Sequence, residues 1–158
     1  MHVFETKHRV AHSADDMFAL VAHIEDYPKF LPLCEALTIK RREQGETGEV
    51  LIATMTVGYK FIRESFTTRV AQDREARSIL VEYLDGPFSH LENHWHFRPL
   101  GDGVCEVDFY IAYSFRSHLF ERLVGGLFDK AVQKYTQAFE ARADAVYGRN
   151  ARALASQQ

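Results

Sequence analysis

Residues 104–148, VCEVDFYIAYSFRSHLFERLVGGLFDKAVQKYTQAFEARADAVYG, change their hydrophobic period once, near Ser117. Before that point Val107, Phe109, Ile111, Tyr113 and Phe115 share one face while Glu106, Asp108 and Tyr110 share the other, the period-two pattern of a strand buried on one side. After it Phe120, Leu123, Val124, Leu127, Phe128, Ala131, Tyr135, Ala138 and Phe139 recur three and four residues apart. That spacing predicts a single helix running to about Tyr147, with Gly148 as its stop. A helix this long needs a partner for its apolar stripe, and the inner face of a sheet is the surface available.

Outward from this stretch, alternating runs predict strands over about 2–11, 35–43, 48–57, 60–73, 77–84 and 90–99, with 104–116 as the seventh. Links such as GETG, VGY, DREA and LGDG are short, so neighbouring strands should pair as an antiparallel meander. Leu51, Ala53, Met55 and Val57 face inward on one strand; Ile62, Glu64, Phe66, Thr68 and Val70 on the next; Leu91, Asn93, Trp95 and Phe97 on a third. Ser13 is a good N-cap, and Asp15 and Asp16 complement the positive end of a helix carrying Met17, Phe18, Leu20 and Val21. The expected architecture is α+β: a seven-stranded curved antiparallel sheet wrapped around a long C-terminal helix. It forms one domain over residues 1–147, and 148–158 form a flexible tail with little to bury.

The connection EDYPKFLPLCEAL, residues 25–37, is unusually apolar for a loop. Pro28 and Pro32 stiffen it, and a short helix over about Asp26–Phe30 should end before Pro32. Phe30, Leu31 and Leu33 either close the mouth of a cavity beneath the helix or plug the end of the core.

Composition limits the function classes. The chain of 158 residues is 46% hydrophobic and 26% charged, and no apolar run approaches the ~18 residues of a membrane-spanning helix. The N-terminus alternates and lacks a signal-peptide pattern, which implies a cytoplasmic protein, and Cys34 and Cys105 read as buried free thiols. A net charge of −3 speaks against DNA as a partner. The basic run Lys40, Arg41, Arg42 reads as a strand end entering a turn, with a phosphate or lipid-headgroup contact as its alternative.

No GxSxG, HExxH, phosphate loop or Cys/His signature is present, so no catalytic residue is assigned. Glu64 stands among Ile62 and Phe66, where burial would raise its pKa and suit a general acid or base; an ion pair or a sheet-edge position is the plainer reading. His94 and His96 point the same way from a strand, but no third ligand accompanies them and their face is shared with Glu92 and Arg98, so no metal is assigned. Gly125 and Gly126 cost a helix stability, which either makes room for a ligand or a hinge, or marks a helix break or close packing.

The runs YPKFLPLCEAL and YKFIRESFTTRV, and the ending from WHFRPLGDG to FEARA, resemble the coenzyme Q-binding START-like family. That family is grouped with bacterial polyketide cyclase/dehydrase-like proteins and includes proteins named as ribosome association toxins. The resemblance covers about residues 1–147; Leu33 departs from it where relatives commonly carry tryptophan. It implies a helix-grip (START/Bet v-like) fold with an apolar cavity for ubiquinone or a related polyprenyl lipid, bound as ligand and not as cofactor. It also implies a non-enzymatic quinone carrier or chaperone supporting respiratory electron transport, cytoplasmic or peripheral on the cytoplasmic face of the inner membrane, with transient membrane-surface contact. Binding of the large ribosomal subunit and polyketide cyclisation are its alternatives. On this reading Asn93, Tyr113 and Glu64 orient the ligand, and Phe30, Leu31, Leu33, Phe66, Trp95, Phe97, Phe109, Leu123 and Phe128 form the wall.

Overall fold

The computed structural model describes residues 1–148, so the expected tail lies, from residue 149 onward, outside the described residues. Seven strands are present: β1 His2–Val10, β2 Cys34–Gln44, β3 Glu49–Tyr59, β4 Ile62–Asp73, β5 Ser78–Asp85, β6 Phe88–Gly101 and β7 Val104–Phe115. They form one antiparallel sheet in the order β1-β7-β6-β5-β4-β3-β2, a meander whose first strand folds back onto its last. Between β1 and β2 lie α1, Ala14–Ala22, and a 3₁₀ helix, Ile24–Lys29. Ser13 caps α1 as its sequence predicts, accepting a hydrogen bond from the Asp16 N–H at 3.0 Å.

The C-terminal segment differs from the single helix expected. It is two helices, α2 His118–Gln133 and α3 Tyr135–Tyr147, parted at Lys134, whose N–H turns back to Ala131 O at 3.0 Å. The apolar spacing Phe128, Ala131, Val132, Tyr135, Phe139 continues across the break, so the period carries no trace of it. Gly125 and Gly126 stay helical within α2. A second difference concerns the link between β3 and β4: Lys60 and Phe61 form the turn, Lys60 in the left-handed region at φ 58°, and Gly58 remains in the strand. Gly58 is there because a Cβ would stand 2.4 Å from the Glu35 carboxylate, which lies across it to meet Arg63 at 2.7 Å.

Antiparallel pairing gives the sheet two unlike ends. The β3–β4 and β5–β6 turns, the start of β1, the end of β7 and the start of α2 share one end; the β2–β3, β4–β5 and β6–β7 turns and α1 share the other. The helices run along the concave face between these ends, and the buried residues they cover with the sheet form a single large core from Val10 to Ala143. Three histidines of the edge strand and its exit bind the helices: His2 to Glu121, His8 to Glu140 at 2.8 Å and His12 to Asp144 at 2.7 Å. Alternation alone showed inner and outer faces but not these pairs, which join residues more than a hundred positions apart.

Candidate functional site

Two apolar pockets lie end to end between the sheet and the helices. The deeper one, about 90 Å³, is walled by Leu37, Ala53, Met55, Thr68, Val70, Ile79, Val81, Leu91, Asn93, Trp95, Phe109 and Ile111 from the sheet. Ile24, Tyr27 and Leu31 close it on one side, and Tyr135 and Phe139 roof it. The second, about 40 Å³, lies toward the α2 start between Leu33, Val57, Ile62, Glu64, Phe88, Phe115, Phe120, Val124 and Leu127. Phe66 and Phe128 line both and are the partition between them. Phe128 is held there by Tyr113 at 4.9 Å and Phe88 at 5.5 Å between ring centres.

Sequence order explains how these walls arise. Strand alternation puts Asn93, Trp95, Phe109 and Ile111 on the concave face, and α3 brings Tyr135 and Phe139 to the same pocket. Phe139 meets Trp95 at 5.1 Å, Tyr27 at 5.2 Å and Phe30 at 5.2 Å, so the proline-rich connection is fastened to α3 by ring contacts. Gly86, at φ 143°, brings the β5–β6 turn against Phe66, where a Cβ would stand 2.6 Å from the Phe66 Cβ.

Polar groups in the deep pocket are few, and most are engaged. The Asn93 amide donates to Tyr110 O at 2.8 Å and accepts from Trp95 Nε1 at 3.1 Å; Tyr27 donates to Val21 O. Two hydroxyls, of Thr68 and Tyr135, have no hydrogen-bond partner among the described residues. Burial pushes the Tyr27 and Tyr135 phenols well above the ordinary tyrosine range, so both are O–H donors at any physiological pH. Burial likewise pushes the Cys34 thiol up to about 11. In the second pocket Glu64 is half-buried and has no ion-pair or hydrogen-bond partner among the described residues.

The residues chosen from sequence divide accordingly. Leu31, Phe66, Asn93, Trp95, Phe109 and Phe128 line the deep pocket, and Leu33, Glu64, Phe66 and Phe128 the other. Four lie outside both. Phe97 is fully buried between Trp95 and Phe18 of α1, as core; the Tyr113 hydroxyl donates to Asp129 at 2.9 Å, away from either space. Leu123 is 64% exposed because it falls on the outer side of α2, one residue from the inward Val124. Phe30 packs on Tyr27 and Phe139 and beneath the Arg142 guanidinium, beside the deep pocket and lining neither space. Thr68 and Tyr135 also line the deep pocket, and both fall on faces that the sequence pattern turns inward. His94 pairs with Glu92 at 2.7 Å on the outer face, and among the described residues no cluster of three metal-ligating side chains occurs.

A curved antiparallel sheet closed by C-terminal helices over an apolar interior defines the helix-grip class of the START kind. The chain belongs to the family described as polyketide cyclase / dehydrase and lipid transport, whose model matches residues 10–140. It is 35% identical over 138 residues to the Escherichia coli K12 "Ribosome association toxin RatA", spanning 87% of this chain and 84% of that one. It is 29% identical over 148 residues to the Xenopus laevis "Coenzyme Q-binding protein COQ10 homolog B, mitochondrial", covering 91% of this chain and 59% of that protein. Among solved structures, the 18 kDa protein CC1736 of Caulobacter crescentus is 36% identical, with a TM-score of 0.75 over 94% of this chain and 99% of that one. A START superfamily protein of Mycobacterium smegmatis shares the fold at a TM-score of 0.71 and 21% identity, over 92% and 99% of the two chains.

Proposed function

We propose that this protein is a non-enzymatic carrier of ubiquinone or a similar polyprenyl lipid, working at the cytoplasmic face of a membrane. The observation that carries the reading is the pair of apolar pockets separated by two aromatic side chains, with the Thr68 and Tyr135 hydroxyls and one Asn93 N–H unengaged in the deeper one among the described residues. A quinone ring presents carbonyl oxygens, which accept hydrogen bonds; the two hydroxyls and the second Asn93 N–H supply donors, and the second pocket takes the start of the tail. Glu64, when ionised, only accepts, so it suits a hydroxyl or a water at the entrance better than a quinone carbonyl. The name of the Xenopus relative adds support.

The deep pocket, at about 90 Å³, is below the roughly 300–1,000 Å³ of ordinary ligand sites, so binding requires it to enlarge. Rotation of Phe66 and Phe128 joins the two spaces, and the break at Lys134 allows α2 to shift while α3 keeps its contacts with Tyr27 and Trp95. Apolar burial at about 25 cal/mol per Å² then supplies the affinity without a charged contact. Among the described residues no helix is long and apolar enough to cross a membrane, so contact with the lipid source is peripheral in this scheme.

The test is solvent extraction of freshly purified protein followed by mass spectrometry, with a titration of added ubiquinone. A co-purifying or saturably bound quinone is the expected result; a clean extract with no binding overturns the reading. Similarity to the Escherichia coli protein named a ribosome association toxin favours a second reading, association with the large ribosomal subunit. Co-sedimentation with separated subunits at physiological salt decides that one.

A further inference from the structure

The end of the molecule where the second pocket opens is apolar on its outside as well. Phe61, at the β3–β4 turn, is 89% exposed and its neighbour Tyr59 45%. Leu119 and Leu123, four residues apart on the outer side of α2, are 67% and 64% exposed. These two elements are adjacent because both contribute to the second pocket, the hairpin through Tyr59 and Ile62 and the helix through Phe120, Val124 and Leu127. Gly126 continues the ridge with bare backbone: a Cβ there would meet nothing within 4 Å.

Charge around this patch departs from that of the whole chain, which is −3. Lys60, Arg116 and Arg122 have no carboxylate partner among the described residues; Lys60 only approaches the Tyr59 ring and Arg116 donates to Phe88 O. Of the acids at the same end, Glu35 is held by Arg63 and Glu121 by His2, which leaves Asp85 of the β5–β6 hairpin and the half-buried Glu64 of the second pocket, so the unpaired cations still outnumber the unpaired acids. By contrast, two of the three bases at 40–42 are paired, Arg41 with Glu43 and Arg42 with Glu25 and Glu49, and Lys40 alone of the run has no carboxylate partner among the described residues. Exposed aromatic and aliphatic side chains ringed by unpaired cations are the chemistry of a surface that enters the boundary of an anionic bilayer.

We infer that the β3–β4 turn and the first half of α2 together form a membrane-docking face, which inserts Phe61, Leu119 and Leu123 among lipids of anionic headgroup and presents the second pocket to the bilayer. The inference rests on the lipid-carrier reading and assigns it a portal. It moves the contact away from Phe30 and Leu31 of the proline-rich connection at 25–37, the first packed on Phe139 and the second buried at the deep pocket, and leaves Leu33 of that connection at the second pocket. Lipid enters beside Glu64 and Phe120 and passes the Phe66–Phe128 partition to the deep pocket.

Flotation of the full chain with phosphatidylglycerol/phosphatidylcholine vesicles, against phosphatidylcholine alone, tests this. Wild type should partition to the anionic vesicles in a salt-sensitive manner. Phe61→Asp and Leu123→Asp should abolish partitioning, and Lys60→Gln and Arg122→Gln should each weaken it roughly fivefold. Leu100→Asp, at the 41% exposed tip of the opposite end, should leave it unchanged. All five sites are at the surface, and unchanged melting of each variant secures the comparison. A Phe61→Trp probe should shift its emission to the blue on adding anionic vesicles. No partitioning by wild type, or equal loss in Leu100→Asp, overturns the inference. So does a wild-type dimer that Phe61→Asp turns to monomer without any vesicle binding, because the patch is then an interface between copies. Solution binding of ubiquinone, measured on the same proteins, separates the two proposals: quinone binding without vesicle partitioning sinks the docking face alone, and partitioning without quinone binding sinks the carrier alone.

Discussion

Tyr135 is the residue on which the polar side of the cavity turns. Its phenol lines the deep pocket with Asn93 and Trp95 and has no hydrogen-bond partner among the described residues, so its removal should not cost the empty protein a bond. Tyr135→Phe is expected to leave the melting temperature unchanged or raise it, and to weaken ubiquinone binding about fivefold, the worth of one neutral hydrogen bond of ~1 kcal/mol; parallel thermal melts and ligand titrations check both. The two thiols make a pH prediction. Burial holds Cys34 up to about 11 and Cys105 up to about 12, against an ordinary value of 9.0. Because the folded state keeps these protons more tightly than the unfolded one, their contribution to stability is complete below pH 9 and is lost as pH rises toward 11–12. Denaturant midpoints should therefore fall above pH 9, and thiol reagents at pH 8 should react with native protein only as fast as it opens.

At the scale of elements, α2 combines a capped start with a weakened middle. Ser117 caps it through Phe120 N at 3.1 Å, yet its middle carries two glycines and it ends at Lys134 without breaking residues. The two glycines are not equivalent. A Cβ at Gly126 meets open space, so Gly126→Ala should stabilise the protein by about 1 kcal/mol and, by stiffening α2, slow quinone exchange; a Cβ at Gly125 comes within 3.0 Å of the Glu121 carboxylate and should gain less. Chemical denaturation reads the first effect and stopped-flow displacement the second. The period of residues 117–147 made the helix legible but not its division, because Tyr135 and Phe139 keep the stripe continuous across the break at Lys134.

The whole molecule is a grip that is closed in this state, and Phe128 is what keeps its interior in two parts. Phe128→Ala should cost about 3–5 kcal/mol in the empty protein, since its ring packs on Tyr113, Phe88 and Phe115 and the truncation leaves a void. In the carrier reading the same change merges the pockets, so added ubiquinone should recover part of the loss. Melting curves with and without ligand distinguish this from simple core damage, in which ligand restores nothing.

Residue type and spacing by themselves determined the seven strands, their inward faces, the capped first helix and the apolar stripe on the C-terminal segment. These follow from local period, which burial on one face writes directly into the sequence. They also placed Asn93, Trp95, Phe109 and Phe128 inside. Period cannot say which inward residue borders empty space and which meets another side chain, and so Phe97 and Tyr113 were indistinguishable from Trp95 and Phe109. Nor does it resolve a stripe's edge, where one position of rotation separates inward Val124 from exposed Leu123. Those distinctions, with the histidine–carboxylate ties between β1 and the helices and the placing of the β3–β4 turn and the start of α2 at one end, were decided by tertiary structure alone. They are set by distances between residues far apart in the chain, and local spacing holds no record of them.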